Sequence, residues 1–192
     1  LLPAFSLGAA DYVWDGDTST DWGTLTNWQV GGVTPLALPG SSDTVRFDDA
    51  TGIFQPTIGS TSRSVLGVTF GGTTSWTLGG SATLTIDSGG ISVNGGATVL
   101  INCKVTLAAA QAWDTGAGAQ LTLANTLAGD FALTKTSSGK VTLKVTSARA
   151  STTSVDGGTL RIEHAAAFGS ASNGTVRAGG VLEIANVTLN RP

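Results

Sequence analysis

Three aspartates crowd the stretch Asp15-Gly16-Asp17-Thr18-Ser19-Thr20-Asp21, and a loop so rich in carboxylate oxygens has the chemistry of a calcium ligand set. The bidentate Glu of an EF-hand loop is missing, and Gly16 falls at the wrong offset for one. Asx-turns in which Asp side chains cap the backbone account for the same spacing without a cation. Asp15, Asp17 and Asp21 are the metal candidates; no other cofactor is indicated.

His164 is the single histidine. A histidine-dependent hydrolase needs a Ser or Cys nucleophile and an orienting acid, and the chain has no G-x-S-x-G element. An exposed position in a turn is the expectation for His164. Cys103 lies in the strand-like stretch Leu100-Ile101-Asn102-Cys103-Lys104-Val105, where a small buried side chain is expected, not a nucleophile. Glycoside cleavage requires a pair of carboxylates. Between Ser64 and Gly158 the acidic residues are Asp87, Asp114, Asp130 and Asp156, singly placed at turn-like positions. Trp76 and Trp113 have rings able to stack on sugars, and the same rings serve to pack coil on coil. Asn173-Gly174-Thr175 and Asn186-Val187-Thr188 fit the glycosylation pattern N-x-[ST], whereas Asn125 does not. No residue set here specifies catalysis.

The elements that would position these residues are short strands. Charged residues make up 12% of the 192-residue chain, about half the roughly 25% of ordinary soluble domains. Glycine reaches 27 residues and proline only 5, which suits many tight turns better than a disordered linker. The net charge is −3, with Lys and Arg scattered, so no electrostatic footprint for nucleic acid exists. No apolar run is long enough for a membrane-spanning helix. One cysteine permits no intrachain disulfide.

A repeat then organises the chain. The stretch Thr152-Thr153-Ser154-Val155-Asp156-Gly157-Gly158-Thr159-Leu160-Arg161-Ile162-Glu163 returns as Gly174-Thr175-Val176-Arg177-Ala178-Gly179-Gly180-Val181-Leu182-Glu183-Ile184. Each copy has a Val, a Gly-Gly pair and two apolar residues flanking a charged one. Further back, Leu84, Val99, Leu121, Val141, Leu160 and Leu182 lead successive alternating strands at intervals of 15, 22, 20, 19 and 22 residues. Two or three short strands and their turns fill such a period, which is one coil of a parallel β-helix. Apolar residues would stack inward from coil to coil, leaving Thr, Arg and Glu in solvent. Residues 108–119 and 124–134 read as loops leaving the stack, and residues 163–169 as a single helix-like turn ended by Gly169. An antiparallel sandwich also accommodates short strands and Gly turns, but gives no reason for a repeat.

Gly139-Lys140-Val141-Thr142-Leu143, the Thr152 to Leu160 stretch, Ala166-Ala167-Phe168-Gly169 and Val176 to Leu182 resemble the autotransporter-associated β-strand repeat. Phe168 replaces the usual Leu, and Lys144 to Ala150 departs from the usual turn. The opening landmarks Trp14-Asp15-Gly16, Asn27-Trp28 and Ser42-Asp43-Thr44-Val45-Arg46-Phe47 are similar to the start of large surface proteins that carry such repeats. The resemblance implies a secreted, right-handed parallel β-helix of bacterial type at the cell surface, without implying an enzyme.

The expected organisation is an apolar tail at 1–10, a signal-peptide remnant or exchanged strand, then an aromatic cap at 11–63 around Trp14, Trp22 and Trp28, then coils at 64–192. The expected function is a non-enzymatic stalk or adhesin module whose partner is a cell surface, a carbohydrate or a continuation of the chain. A second expectation is a filament subunit that joins head to tail through Phe5, Leu7, Val187 and Leu189. A carbohydrate-active β-helix enzyme is the weaker alternative.

Overall fold

A computed structural model describes residues 9–48, 54–170 and 174–188. In chain order the strands are β1 (Asp11–Trp14), β2 (Trp28–Gln29), β3 (Thr44–Phe47), β4 (Thr57–Ile58), β5 (Arg63–Phe70) and β6 (Ser75–Gly80). There follow β7 (Thr83–Val93), β8 (Thr98–Ile101), β9 (Lys104–Leu107), β10 (Gln111–Thr115), β11 (Gln120–Leu123) and β12 (Leu127–Ala128). The last are β13 (Leu133–Thr136), β14 (Lys140–Leu143), β15 (Thr153–Val155), β16 (Gly158–Ile162), β17 (Gly174–Val176) and β18 (Gly180–Ile184). The molecule is a β-solenoid of about six turns, built from stacked parallel sheets.

Pairing sorts the strands into three faces. On the first, β1, β3, β5, β7, β10, β13, β15 and β17 follow one another in parallel. On the second, the parallel order is β4, β6, β8, β11, β14, β16, β18. A shorter third face joins the N-terminal halves of β5 and β7 to β9, β12 and Ser147. Inward side chains form continuous ladders because alternation holds the same parity in every coil. One runs Val45, Val68, Ile91, Trp113, Lys135, Val155, Val176.

The ladder read from sequence is correct over five of its six members. Val99, Leu121, Val141, Leu160 and Leu182 are register partners on the second face. Leu84 belongs to the third face, against Val105, and the position beneath Val99 is held by Trp76. The true intervals from Trp76 are 23, 22, 20, 19 and 22 residues. The anomalous 15 was the mark of a change of face.

Two supposed loops are part of the wall. Residues 108–119 contain β10, paired on both sides, and residues 124–134 contain β12 and the start of β13. Their inward residues include Gln111, Trp113 and Thr115, so the apolar alternation that marks other strands is diluted here. Gly89 and Gly90 lie inside a strand. Strand β7 runs on through the corner, with a register irregularity against β5. A Cβ at Gly90, whose φ is +63°, would lie 2.0 Å from the Ala112 carbonyl oxygen, so the corner needs glycine.

The aromatic region at 11–63 is continuous with the stack, since β1 and β3 already pair in parallel with β5. Its irregular part is the end closure. Strand β2 crosses β1 antiparallel, and Trp14, Trp22 and Trp28 are all buried. Trp28 sits edge-on to Trp22 at 4.7 Å and to Trp14 at 4.9 Å. Phe47 carries the contact into the coils, stacked on Phe70 at 4.9 Å and tilted against Trp76 at 5.3 Å. Each aromatic pair adds about 0.5–1.5 kcal/mol beyond its buried area.

The Leu121 side chain is fully buried at mid-ladder between Val99 and Val141. Leu121→Ala is expected to lower unfolding free energy by about 2–5 kcal/mol, from lost burial plus the cavity, whereas exposed Gln120→Ala stays within about 0.5 kcal/mol. Denaturant titration of both variants checks this; a Leu121→Ala cost under ~1 kcal/mol would mean that the ladder is not close-packed.

Candidate functional site

The acidic loop is organised by an amide. Asn27, fully buried, accepts the backbone N–H groups of Thr18 at 3.2 Å and Ser19 at 3.0 Å through Oδ1. Its Nδ2 donates to Ser19 Oγ and to the Asp21 carbonyl, both at 2.9 Å. The Asn27 carbonyl in turn accepts from the Asp15 and Gly16 amides. Asp15, Asp17 and Asp21 each have a separate partner: the Gln29 amide, the Thr18 hydroxyl and the Gly23 N–H. Among the described residues no three His, Cys, Asp or Glu side chains converge on a metal position. The spacing that suggested calcium is the spacing of a loop wrapped around Asn27. Gly16 belongs to the same construction: its φ is +52°, and a Cβ would meet the Trp14 indole nitrogen at 2.2 Å. That nitrogen donates to the Phe54 carbonyl at 2.8 Å. The sequence signal for this hub was the Asn27-Trp28 pair beside Trp14-Asp15-Gly16.

The remaining sequence candidates are dispersed. His164 starts the turn at 163–169 and is half-buried, not exposed, and its Nδ1 accepts the Ala166 N–H at 3.1 Å. Burial pushes the Cys103 thiol up to about 12, which leaves it protonated and unreactive. Trp76 and Trp113 are 1% exposed and line the interior, so neither offers a sugar-stacking surface. Asp87 and Asp114 lie within β7 and β10 instead of in turns; Asp130 and Asp156 occupy corners. Asp130 accepts the Ala150 N–H, and Asp156 pairs with Arg177 at 2.7 Å. Asn186 and Thr188 are exposed, with Asn186 at φ 60°; Asn173 lies outside the described residues. Phe5, Leu7 and Leu189 also lie outside them, and Val187 packs partly buried against the core.

Two buried cations escaped the sequence reading, which put Arg in solvent and gave Lys135 no place. Lys135 is 1% exposed, between Trp113 and Val155 in the inward ladder. Its Nζ donates to the carbonyls of Thr136, Ser137 and Gly157, satisfying all three protons where the chain leaves the first face. Arg149, fully buried, donates to the carbonyls of Phe131 at 2.7 Å and Thr152 at 3.1 Å, and to Thr153 Oγ1 at 3.2 Å. Burial lowers the pKa of both, opposed by Asp114 for Lys135 and by Asp130 for Arg149. The signal for Lys135 was its parity: it stands two residues after inward Leu133.

On the outside of the second face the charges form a chain across coils. Lys144 pairs with Glu163, Glu163 with Arg161, Arg161 with Glu183 and Glu183 with Lys140. Hydrogen bonds from Arg161 and Lys144 hold the Glu163 carboxyl below the usual range. Three of these pairs cross from one coil to another, Arg161–Glu163 lies within one, and each is exposed enough that its contribution to stability is small.

The two ends of the stack are unlike. At the N-terminal end β2 covers β1, while the backbone of Thr20 and Trp22 bonds Thr57 of β4. A groove of about 290 Å³ opens beside this closure, lined by Ala10, Tyr12, Val30, Val33, Pro35 and Leu36. Leu36 is fully exposed and Val33 66% exposed. At the other end β17 and β18 are the last strands of their faces. There the ladder residues Val176 and Ile184 are 46% and 49% exposed, next to Val181 at 54%. The ion pairs of the described surface fall in two groups, Arg46 with Asp11 and Asp48 near the closure and, on the later coils, Asp156 with Arg177 and the chain from Lys140 to Glu183.

Lys135 gives a pH test. Its folded pKa is lowered from 10.5 to about 8 by burial. Between those values the unfolded chain binds the extra proton, so this residue adds stability as pH rises through the window. Lys135→Met, nearly the same volume and apolar, should equal or exceed the parent at pH 7 and lose that advantage by pH ~10.5. Urea titrations of both chains at each pH measure it; a pH-independent difference would show that Nζ ionises alike in both states.

Comparison of the chain with protein families, with curated proteins and with solved structures finds no match in any of the three.

Proposed function

We propose that this chain is a non-enzymatic structural module, a stiff β-solenoid shaft serving as stalk or adhesin scaffold in a secreted or cell-surface protein of bacterial type. The observation that supports this reading is the unbroken ladder from Val45 to Val176, in which each coil is hydrogen-bonded in register to the next. About six turns at ~4.8 Å each give a shaft roughly 30 Å long. Bending it would stretch parallel ladders on the outside of the curve and compress packed side chains within. Paired surface charges and buried tryptophans suit a spacer, whose job is to hold distance and direction.

Single-molecule pulling on the chain tests the mechanical part. The expected trace has successive steps of about 20 residues, each releasing roughly 70 Å of chain, because each coil depends on its neighbour. A single low-force extension would contradict the shaft. The non-enzymatic part is tested by incubating the purified chain with neutral, acidic and amino polysaccharides, following reducing ends and unsaturated products. No turnover is expected; cleavage abolished by Asp114→Asn or Asp156→Asn would replace this reading with a carbohydrate-active enzyme.

A further inference from the structure

The groove of about 290 Å³ beside the closure takes Ala10 and Tyr12 from β1 and its lead-in, and Val30, Val33, Pro35 and Leu36 from the segment that follows β2. Tyr12 is buried, whereas Val33 and Leu36 stand in solvent. No described residue of the lining is charged. The chain enters the stack at this groove. The Ala10 N–H donates to Asp43 Oδ1 at 2.9 Å, and the Ala10 carbonyl accepts the Thr44 N–H at 2.9 Å, so the chain is already fixed on β3 at a groove-lining residue.

Directly ahead of this anchor in the chain is Leu1-Leu2-Pro3-Ala4-Phe5-Ser6-Leu7-Gly8, which lies outside the described residues. Its side chains include no charge and a single polar group, the Ser6 hydroxyl. At about 3.4 Å per residue, Leu7 is within roughly 10 Å of Ala10 and Phe5 within roughly 17 Å, close enough to return over a groove that Ala10 itself lines. We infer that residues 1–8 of the same chain fold back into this groove, with Phe5 and Leu7 against Val33 and Leu36. The tether selects the occupant. A segment joined to its site by so short a connection has an effective concentration of about 1 mM, so a separate copy or partner of equal affinity, at about 1 μM, is at a roughly thousandfold disadvantage. The chemistry agrees, because an uncharged segment on an uncharged lining strips no ion of its water. This goes beyond the shaft reading, and its failure would leave the stepwise pulling trace unchanged.

Hydrogen–deuterium exchange of the full chain, read by mass spectrometry, tests it. Leu36→Glu alters a fully exposed side chain, and Phe5→Ser/Leu7→Ser alters residues ahead of β1; circular dichroism checks that each variant keeps the β signal of the parent. In Phe5→Ser/Leu7→Ser the amides of residues 31–37 should exchange roughly tenfold faster than in the parent. In Leu36→Glu those of residues 1–8 should speed up by a similar factor, because each variant removes one side of the same contact. Amides of β11 and β14, further along the stack, should not change in either. Protection should be independent of protein concentration, as an intramolecular contact requires. If one variant loses the β signal, the other still decides the matter. Equally fast exchange at residues 31–37 in the parent and in Phe5→Ser/Leu7→Ser overturns the inference, since the groove is then open. So does protection that rises with protein concentration, which would give the groove to the tail of a second copy. Tail amides protected alike in the parent and in Leu36→Glu would put residues 1–8 elsewhere, and overturn it as well.

Discussion

Everything in this molecule follows from the requirement that a coil be completed by the coil beside it. A three- to five-residue strand cannot bury one face alone, and its N–H and C=O groups project along the stack axis toward neighbours. The demand is met at each level by register: Leu121 lies between Val99 and Val141, and the Gln120 amide bonds the Ala97 carbonyl one coil back. Net contributions are about 1 kcal/mol per hydrogen bond and about 1.5–3 kcal/mol per large apolar side chain. Neither suffices for an isolated coil against the entropy of ordering some twenty residues. Cooperation along the axis is what makes the fold stable.

An all-apolar ladder would satisfy that requirement equally well in several registers, since Val and Leu above Val and Leu have little to distinguish one offset from another. The buried polar residues remove this degeneracy. Lys135 must find three carbonyls at one corner, Arg149 two carbonyls and a hydroxyl at another, and Gln111 bridges the Ile86 carbonyl and the Trp113 indole. A slipped coil would leave a buried cation without acceptors, a cost of several kcal/mol. Lys135 sits where the interval along its ladder shortens from 22 residues to 20, and Gln111 and Arg149 lie in the coils on either side. They give up some stability in exchange for a unique stack.

The fold was legible because its constraint repeats. Five members of one ladder stood at nearly regular intervals from Val99 to Leu182, and the Val155 and Val176 copies are true register partners. What stayed hidden was local. Strand β10 escaped because Gln111 and Thr115 occupy inward positions, which spoils a hydropathy alternation without spoiling the backbone pairing. Lys135 escaped because residues 124–134 read as a loop, so that no strand, and hence no parity, was assigned to it. The Asp15 to Asp21 loop was legible in part: carboxylate spacing and Asx-turns are visible in a sequence, whereas the landmark Asn27, six residues beyond Asp21, gives no sign that its side chain is the loop's centre.

The placement of the tryptophans carries the same logic to the end of the shaft. Inner coils are covered on both sides by neighbours of similar cross-section, and mostly aliphatic side chains fill them, with Trp113 the exception among the large rings. The first coil has no neighbour of that kind, and the gap is filled from a short irregular segment by the largest side chains the chain possesses. Their indoles reach into the core, and those of Trp14 and Trp28 also satisfy carbonyls of the loops that lie over it. Below them Phe47, Phe70 and Trp76 carry the aromatic contact on to Val93 and Val99, which joins the irregular closure to the regular stack. Among the described residues of the last coil the ladder positions are again aliphatic, Val176 and Ile184. The closure thus fixes where the ladders start among the described residues, and every parallel pairing beyond it runs away from that point in one direction.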